Sequence, residues 1–271
     1  MPPERHAVQS PLLPAGSPVV LGVALLQFLA ELRDHNHRDW MRQHAERHRT
    51  EVVDPLLRLL QRVVARVGTL IPGFGHPAPR TCLLRVQRDA RFVGKHAPFW
   101  VRSGLQIRHR ASVPGAPAPA VTLHLEPGAC RVSVGLPRAA SGSMASIRAA
   151  MVARPDLFEA VVHAVAAGGA SWAGAPDRRL TGLERRLPHL APHLGRRCQA
   201  ATWQLTDHQV GTADLSDVVV RAVLVGLPLL RYQCLALGLD PGPGDLVRHL
   251  RGAEARVFLP GAVLDSAGAP G

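Results

Sequence analysis

Hydrophobic periodicity changes twice along this chain, and no other feature bounds the fold as tightly. From Leu21 to Arg33, Leu25, Phe28, Leu29 and Leu32 recur at helical spacing. A polar break at Asp34 to His37 follows, and a second helix is expected from about Arg38, with Trp40 on its inner face. Pro55 suits the first turn of a third helix capped by Asp54, with Leu56, Leu59, Leu60, Val63, Val64 and Val67 as its stripe. Pro72 to Pro79 reads as a turn-rich linker. The pattern then shortens: Thr81 to Val86, Leu105 to His109, Val121 to Leu125 and Cys130 to Val134 read as strands between Pro/Gly turns. Beyond Ser141 it turns helical again, through Met144, Ile147, Ala150 and Met151 and then Leu157 to Ala166. Residues 168–213 look irregular and arginine-rich, and a last strong helix spans Leu215 to Leu237. Helices, then strands, then helices predict an α+β fold: N-terminal helices, a central mostly antiparallel sheet and C-terminal helices.

The 271 residues divide into a disordered leader over 1–18, a single α+β domain over 19–238, and a Pro/Gly-rich, largely irregular tail over 239–271 with a weak segment at Leu246 to Leu250. The apolar run from Val19 to Ala30 resembles a signal-peptide core. Its flank carries only Arg5 and His6, and no small-x-small cleavage site precedes Glu31, so an amphipathic first helix is expected. The run is also too short to span a bilayer, and no membrane partner is expected. Cys82, Cys130, Cys198 and Cys234 form no C-x-x-C pair, which fits free thiols in a reducing, cytoplasmic setting. The net charge of +12 would favour nucleic acid or an acidic surface. However, Lys95 is the only lysine among 32 basic side chains, and Ala, Gly and Pro abound. That is the composition of a GC-rich coding sequence, so nucleic acid is kept as a partner class but not favoured.

The densest chemistry lies in residues 85–99. Arg88, Arg91 and Lys95 would line a phosphate-sized anion site, with Asp89 orienting one guanidinium. His96 titrates near neutrality and suits acid–base work. The bland counterpart is a structural ion-pair network in which Asp89 neutralises a neighbouring arginine and Phe92 packs in the core. Strand alternation puts Val121, Leu123 and Leu125 on one face and Thr122, His124 and Glu126 on the other. His124 and Glu126 are therefore a candidate proton-moving pair. Asn36, Arg38 and Trp40 are candidates for the wall of the same cleft, against a simply buried Trp40 at a helix start. His44 and His48 are four apart, a usable ligand spacing. Glu46 does not directly follow His44, though, so the H-E-x-x-H pattern is absent and no metal is expected. No Walker loop, G-x-G-x-x-G turn or G-x-S-x-G elbow is present, and no cofactor is expected.

These stretches resemble the uncharacterised bacterial and fungal family known as domain of unknown function 2461. Its first motif, Phe-Leu then Asn-Asn-Asn-Arg-Glu-Trp-Phe, is met by Phe28-Leu29 and by Asn36, Arg38 and Trp40. His48 replaces a typical Tyr, and Pro55 matches the family's Pro. Its strongest motif, Arg-Asp-x-Arg-Phe-x-x-x-Lys-x-Pro-Tyr, is met at Arg88, Asp89, Arg91, Phe92 and Pro98. His96 stands at the Lys position, with Lys95 one residue earlier, and Phe99 stands at the Tyr position. Leu123 to Pro127, Gly135-Leu136, Ile147-Arg148 and Pro228-Leu229 resemble later segments. The resemblance covers about residues 25–237 and implies a single α+β domain, but it implies no reaction.

The expected function is thus a small-anion cleft, for phosphate or carboxylate, built on Arg88, Asp89, Arg91 and Lys95, with His96, His124 and Glu126 able to move protons. The alternatives are a nucleic-acid-binding protein using diffuse arginine charge, or a non-catalytic scaffold degenerate at the motif. Neither catalysis nor oligomeric state is legible in the sequence.

Overall fold

The computed structural model describes residues 21–68, 70–75, 78–89, 97–111, 118–137, 141–174 and 182–243. The expected leader and the segment Leu246 to Leu250 lie outside the described residues. Helix α1 (Gly22–Asp34) buries Leu25, Phe28, Leu29 and Leu32, the i, i+3, i+4, i+7 stripe of an amphipathic helix. Helix α2 (Arg38–Gln43) starts where the His37 ring accepts a hydrogen bond from Trp40 N at 3.2 Å. The short α3 (Ala45–Arg47) runs through a π-helical turn (His48–Val53) into α4 (Asp54–Val67). Asp54 therefore does not cap a new helix as expected. The backbone arrives already helical, and the Asp54 carboxylate accepts from Arg49 Nη1 at 2.6 Å instead. The α4 stripe is as expected, with Leu56, Leu59, Leu60, Val63 and Val67 buried.

Strands β1 (Ser103–Arg108), β2 (Ala120–Leu125), β3 (Cys130–Leu136), β4 (Ser171–Trp172) and β5 (Gln199–Leu205) form one antiparallel sheet in the order β1-β2-β3-β5-β4. Between β3 and β5 lie α5 (Ser141–Ala153), α6 (Pro155–Ala167), α7 (Leu183–Arg186) and α8 (Ala191–Leu194). After β5 come α9 (Asp207–Thr212) and the 22-residue α10 (Leu215–Ala236). One sheet face is apolar in register: Leu105 opposes Leu123, Leu123 opposes Val132, and Val132 opposes Trp203. Helix α10 packs on β3, α6 and α4, and a Cβ at Gly226 would meet Val134 Cγ1 at 2.5 Å. By length and composition α10 could cross a bilayer, but 72% of its most apolar window is buried within the fold.

Two further expectations are corrected. Thr81 to Val86 is not a regular strand: Pro79–Cys82 is a 3-10 turn, and only Leu83–Leu105 and Gln87–Phe99 form bridges beyond it. Those bridges lie four residues apart on one side and six on the other, so a two-residue bulge interrupts the ladder. The stretch 168–213 is not irregular either. It holds β5, whose buried Gln199, Ala200, Ala201, Thr202 and Trp203 lack polar alternation because both strand faces are covered.

Candidate functional site on the polar face of the sheet

The arginine-rich motif lies on a ribbon that precedes β1. Leu84 N donates to Gly104 O (2.9 Å), Trp100 N to Val86 O (2.7 Å) and Arg88 N to Pro98 O (2.9 Å). Asn36, in the bend between α1 and α2, grips this ribbon as a neighbouring strand would. Its Nδ2 donates to Phe99 O at 3.1 Å, and its Oδ1 accepts from Phe99 N at 3.0 Å. Arg88 is fixed on the same residues: Nε donates to Phe99 O at 3.3 Å, and the guanidinium lies 3.6 Å from the centre of the Trp100 ring. Arg102 sits 4.6 Å from that ring. Cation–π contacts of this kind orient a guanidinium without neutralising it.

The β2–β3 hairpin supplies the remaining groups. Its turn closes with Ala129 N donating to Glu126 O (2.8 Å), and Gly128 takes the positive φ of +79° that this turn requires. The register that follows puts Arg131 directly opposite His124. On the other side of His124 stands Gly104 of β1, at φ +141°. A Cβ there would come within 1.9 Å of Leu123 O, so no side chain can flank His124 from β1. Arg33, near the end of α1, reaches the same turn at Pro127 O (3.4 Å).

His124 Nε2 donates to Glu126 Oε2 at 3.0 Å. A carboxylate partner fixes the Nε2–H tautomer and leaves the Nδ1 lone pair able to take a proton. Burial holds the His124 pKa below the usual histidine value; Glu126 opposes that shift, and Arg131 and Arg102 add to it. Burial also lowers the Arg102 pKa, Glu126 offsets part of this, and Arg131 and Arg88 push it further down. The Arg102 Nε is buried with no hydrogen-bond partner among the described residues. Among the described residues the Arg131 guanidinium donates to Ala129 O alone, at 3.3 Å. Among the described residues no carboxylate forms an ion pair with Arg88, Arg102 or Arg131, and Glu126 is committed to His124.

Of the residues expected from sequence, Arg88, His124, Glu126 and Asn36 converge here. Asp89 is exposed at the end of the ribbon, while Arg91, Lys95 and His96 lie outside the described residues. Arg38 is exposed, and Trp40 is buried with its ring 4.2 Å from His44 and 5.4 Å from Phe28. His48 also packs on Phe28, at 5.5 Å. The sequence reading missed Trp100, Arg102 and Arg131. Arg131 could have been found by closing the hairpin on Pro127-Gly128 and counting register from His124. Arg102 carried no such signal, because the bulge sets its position.

The family model for DUF2461, described as a conserved hypothetical protein, matches residues 24–232. The chain belongs to this family. The DUF2461 match begins within α1 and ends within α10, so Asn36, the ribbon and the His124–Glu126 pair all fall inside it. No curated protein and no solved structure matches the chain.

Proposed function

We propose that this DUF2461 protein binds a small phosphate- or carboxylate-bearing ligand on the polar face of its sheet. Arg88, Arg102 and Arg131 hold the anion, and His124, oriented by Glu126, moves a proton on or off the ligand. The observation that carries this reading is the set of three neighbouring guanidinium groups held, among the described residues, by an indole ring and backbone carbonyls rather than by carboxylates. Gathering like charges raises the energy of the empty site, and an anion relieves it through charge-assisted, bidentate bonds. A histidine kept neutral by burial and aimed by a carboxylate is the usual arrangement of a general base.

Thermal-shift titration with sulfate, phosphate and small carboxylates tests the proposal. At least one anion should raise the melting temperature of the wild type and raise that of Arg102→Met much less at the same concentration. No rise with any anion would overturn it, as would an equal rise in the variant. A mixed-sequence oligonucleotide is the contrasting ligand. Diffuse arginine binding would show a steep salt dependence that hardly changes when any one of the three arginines is removed.

A further inference from the structure

The polar face carries more than the cationic cluster. One row of hydrogen-bonding side chains crosses all five strands in register: Gln106 opposes Thr122, Thr122 opposes Ser133, Ser133 opposes Thr202, and Thr202 opposes Ser171. Gln106 Nε2 donates to Thr122 Oγ1 at 3.2 Å, the Ser133 and Thr202 hydroxyls are 3.0 Å apart, and Ser171 Oγ donates to Thr202 O at 3.2 Å. The next row is Gly104, His124, Arg131 and Gln204. The two rows lie two residues apart along each strand, about 6.8 Å, and their members are spaced about 4.8 Å from strand to strand. The hydroxyl and amide row therefore lies about 6.8 Å from His124 and Arg131, and Arg102, two residues before Gly104, lies beyond that second row.

Cross-strand hydroxyl pairs also stabilise sheets on their own. Here each hydroxyl uses only part of its capacity of one donor and two acceptors, and Gln106, Thr122 and Ser133 are half-exposed. Gly104, opposite His124, brings no side chain of its own to that flank, and Leu84 Cδ1 lies 3.3 Å from where its Cβ would stand. On the basis of the anion reading above, we propose that the ligand is a polyhydroxylated anion of the sugar phosphate or sugar acid type. Its charged group rests on Arg88, Arg102 and Arg131, and its hydroxyls meet Gln106, Thr122 and Ser133. Such a ligand would place a hydroxyl or an adjacent carbon near His124, where a proton can be taken.

Isothermal titration with inorganic phosphate, a hexose 6-phosphate, the free hexose and a hexuronate tests this. The hexose phosphate or the hexuronate should bind about tenfold more tightly than inorganic phosphate, equivalent to about 1.4 kcal/mol. Which of the two is tighter identifies the charged group. Thr122→Val and Ser133→Ala should each weaken the sugar anion several-fold and leave inorganic phosphate unaffected, the retained phosphate binding excluding misfolding. If inorganic phosphate binds through Arg102 and neither sugar anion is tighter, the hydroxyl strip plays no part and this inference falls while the anion site stands. If neither phosphate nor any sugar anion binds, both fall together.

Discussion

In the N-terminal helices, Arg47 reaches Glu31 at 2.8 Å and Glu51 at 3.0 Å, and Arg49 reaches Glu46 at 2.5 Å and Asp54 at 2.6 Å. On the sheet, Arg88 and Arg102 lie over Trp100, and Arg131 meets a backbone carbonyl. The same side chain serves two ends. In the helices the guanidinium is neutralised by carboxylates one turn away or on a neighbouring helix, and its bonding capacity is spent on the fold. On the sheet it is held by groups that carry no charge, so its position is fixed while its charge stays available. A high arginine content therefore does not distinguish a binding surface from a solvated helix. The partner of each guanidinium does.

The sharpest way to break this comparison is Arg102→Met, which keeps the hydrophobic contact with Trp100 and removes the charge. Anion affinity should fall by about tenfold to a hundredfold, the scale of a lost charge-assisted bond of about 1.5–3 kcal/mol. Stability should hold or rise, because burial and the neighbouring Arg131 and Arg88 disfavour the Arg102 charge. A variant that binds normally but unfolds easily would show that Arg102 is structural after all. Asn36→Ala separates positioning from charge. It leaves Phe99 N without its partner and Phe99 O with Arg88 Nε alone, which should cost about 2 kcal/mol in chemical denaturation. Binding should weaken as well, since Arg88 is held on that same carbonyl.

Acid titration sets the two regions against each other. Burial, with Arg196 adding to it, lowers the His193 pKa to about 4, and burial also lowers those of His124 and His48. The folded state thus disfavours protonation of all three. Their contribution is full above the unfolded histidine value near 6.5 and is lost as pH falls through the folded values. Stability should drop between about pH 6.5 and 4, with His193 supplying on the order of 2 kcal/mol, and His193→Phe should flatten that limb. The Glu31 pKa is lowered chiefly by its hydrogen bond to Arg47. Its contribution is therefore present above about 4.5 and lost only below that, a second and later limb. Sulfate binding should instead tighten as His124 gains its proton, so affinity rises where stability falls.

Most of this fold was legible because its signals are local. The stripes of α1, α4 and α10 and the alternation in β2 are written in residues that are neighbours in sequence. β5 was hidden by the opposite circumstance: it is covered on both faces, begins with two alanines after Gln199, and follows Arg196 and Arg197, so neither period nor polarity marks it. The site was half legible. His124 and Glu126 share a face by strand geometry alone, and Arg88 stands in a recognisable motif. Trp100 and Arg102 reach it only through a bulge whose register no propensity encodes, and Asn36 acts on Phe99 from 63 residues away.

Two smaller substitutions complete the comparison. Glu126→Gln keeps an acceptor for His124 and removes a carboxylate beside the cationic cluster, so anion affinity should rise by about threefold through the altered local charge. A fall instead would mean that Glu126 sets the geometry of the site rather than its charge. Arg47→Gln is the matching change in the helices, and it should cost at most about 1 kcal/mol, since half-exposed ion pairs gain little over their solvated alternatives. That loss should shrink in high salt and leave anion binding untouched. The value of this weak effect lies in its sign and place. If an arginine already satisfied by two carboxylates changed ligand affinity as Arg102 does, pairing would not be what divides the arginines, and bulk positive charge would be the better explanation for both regions.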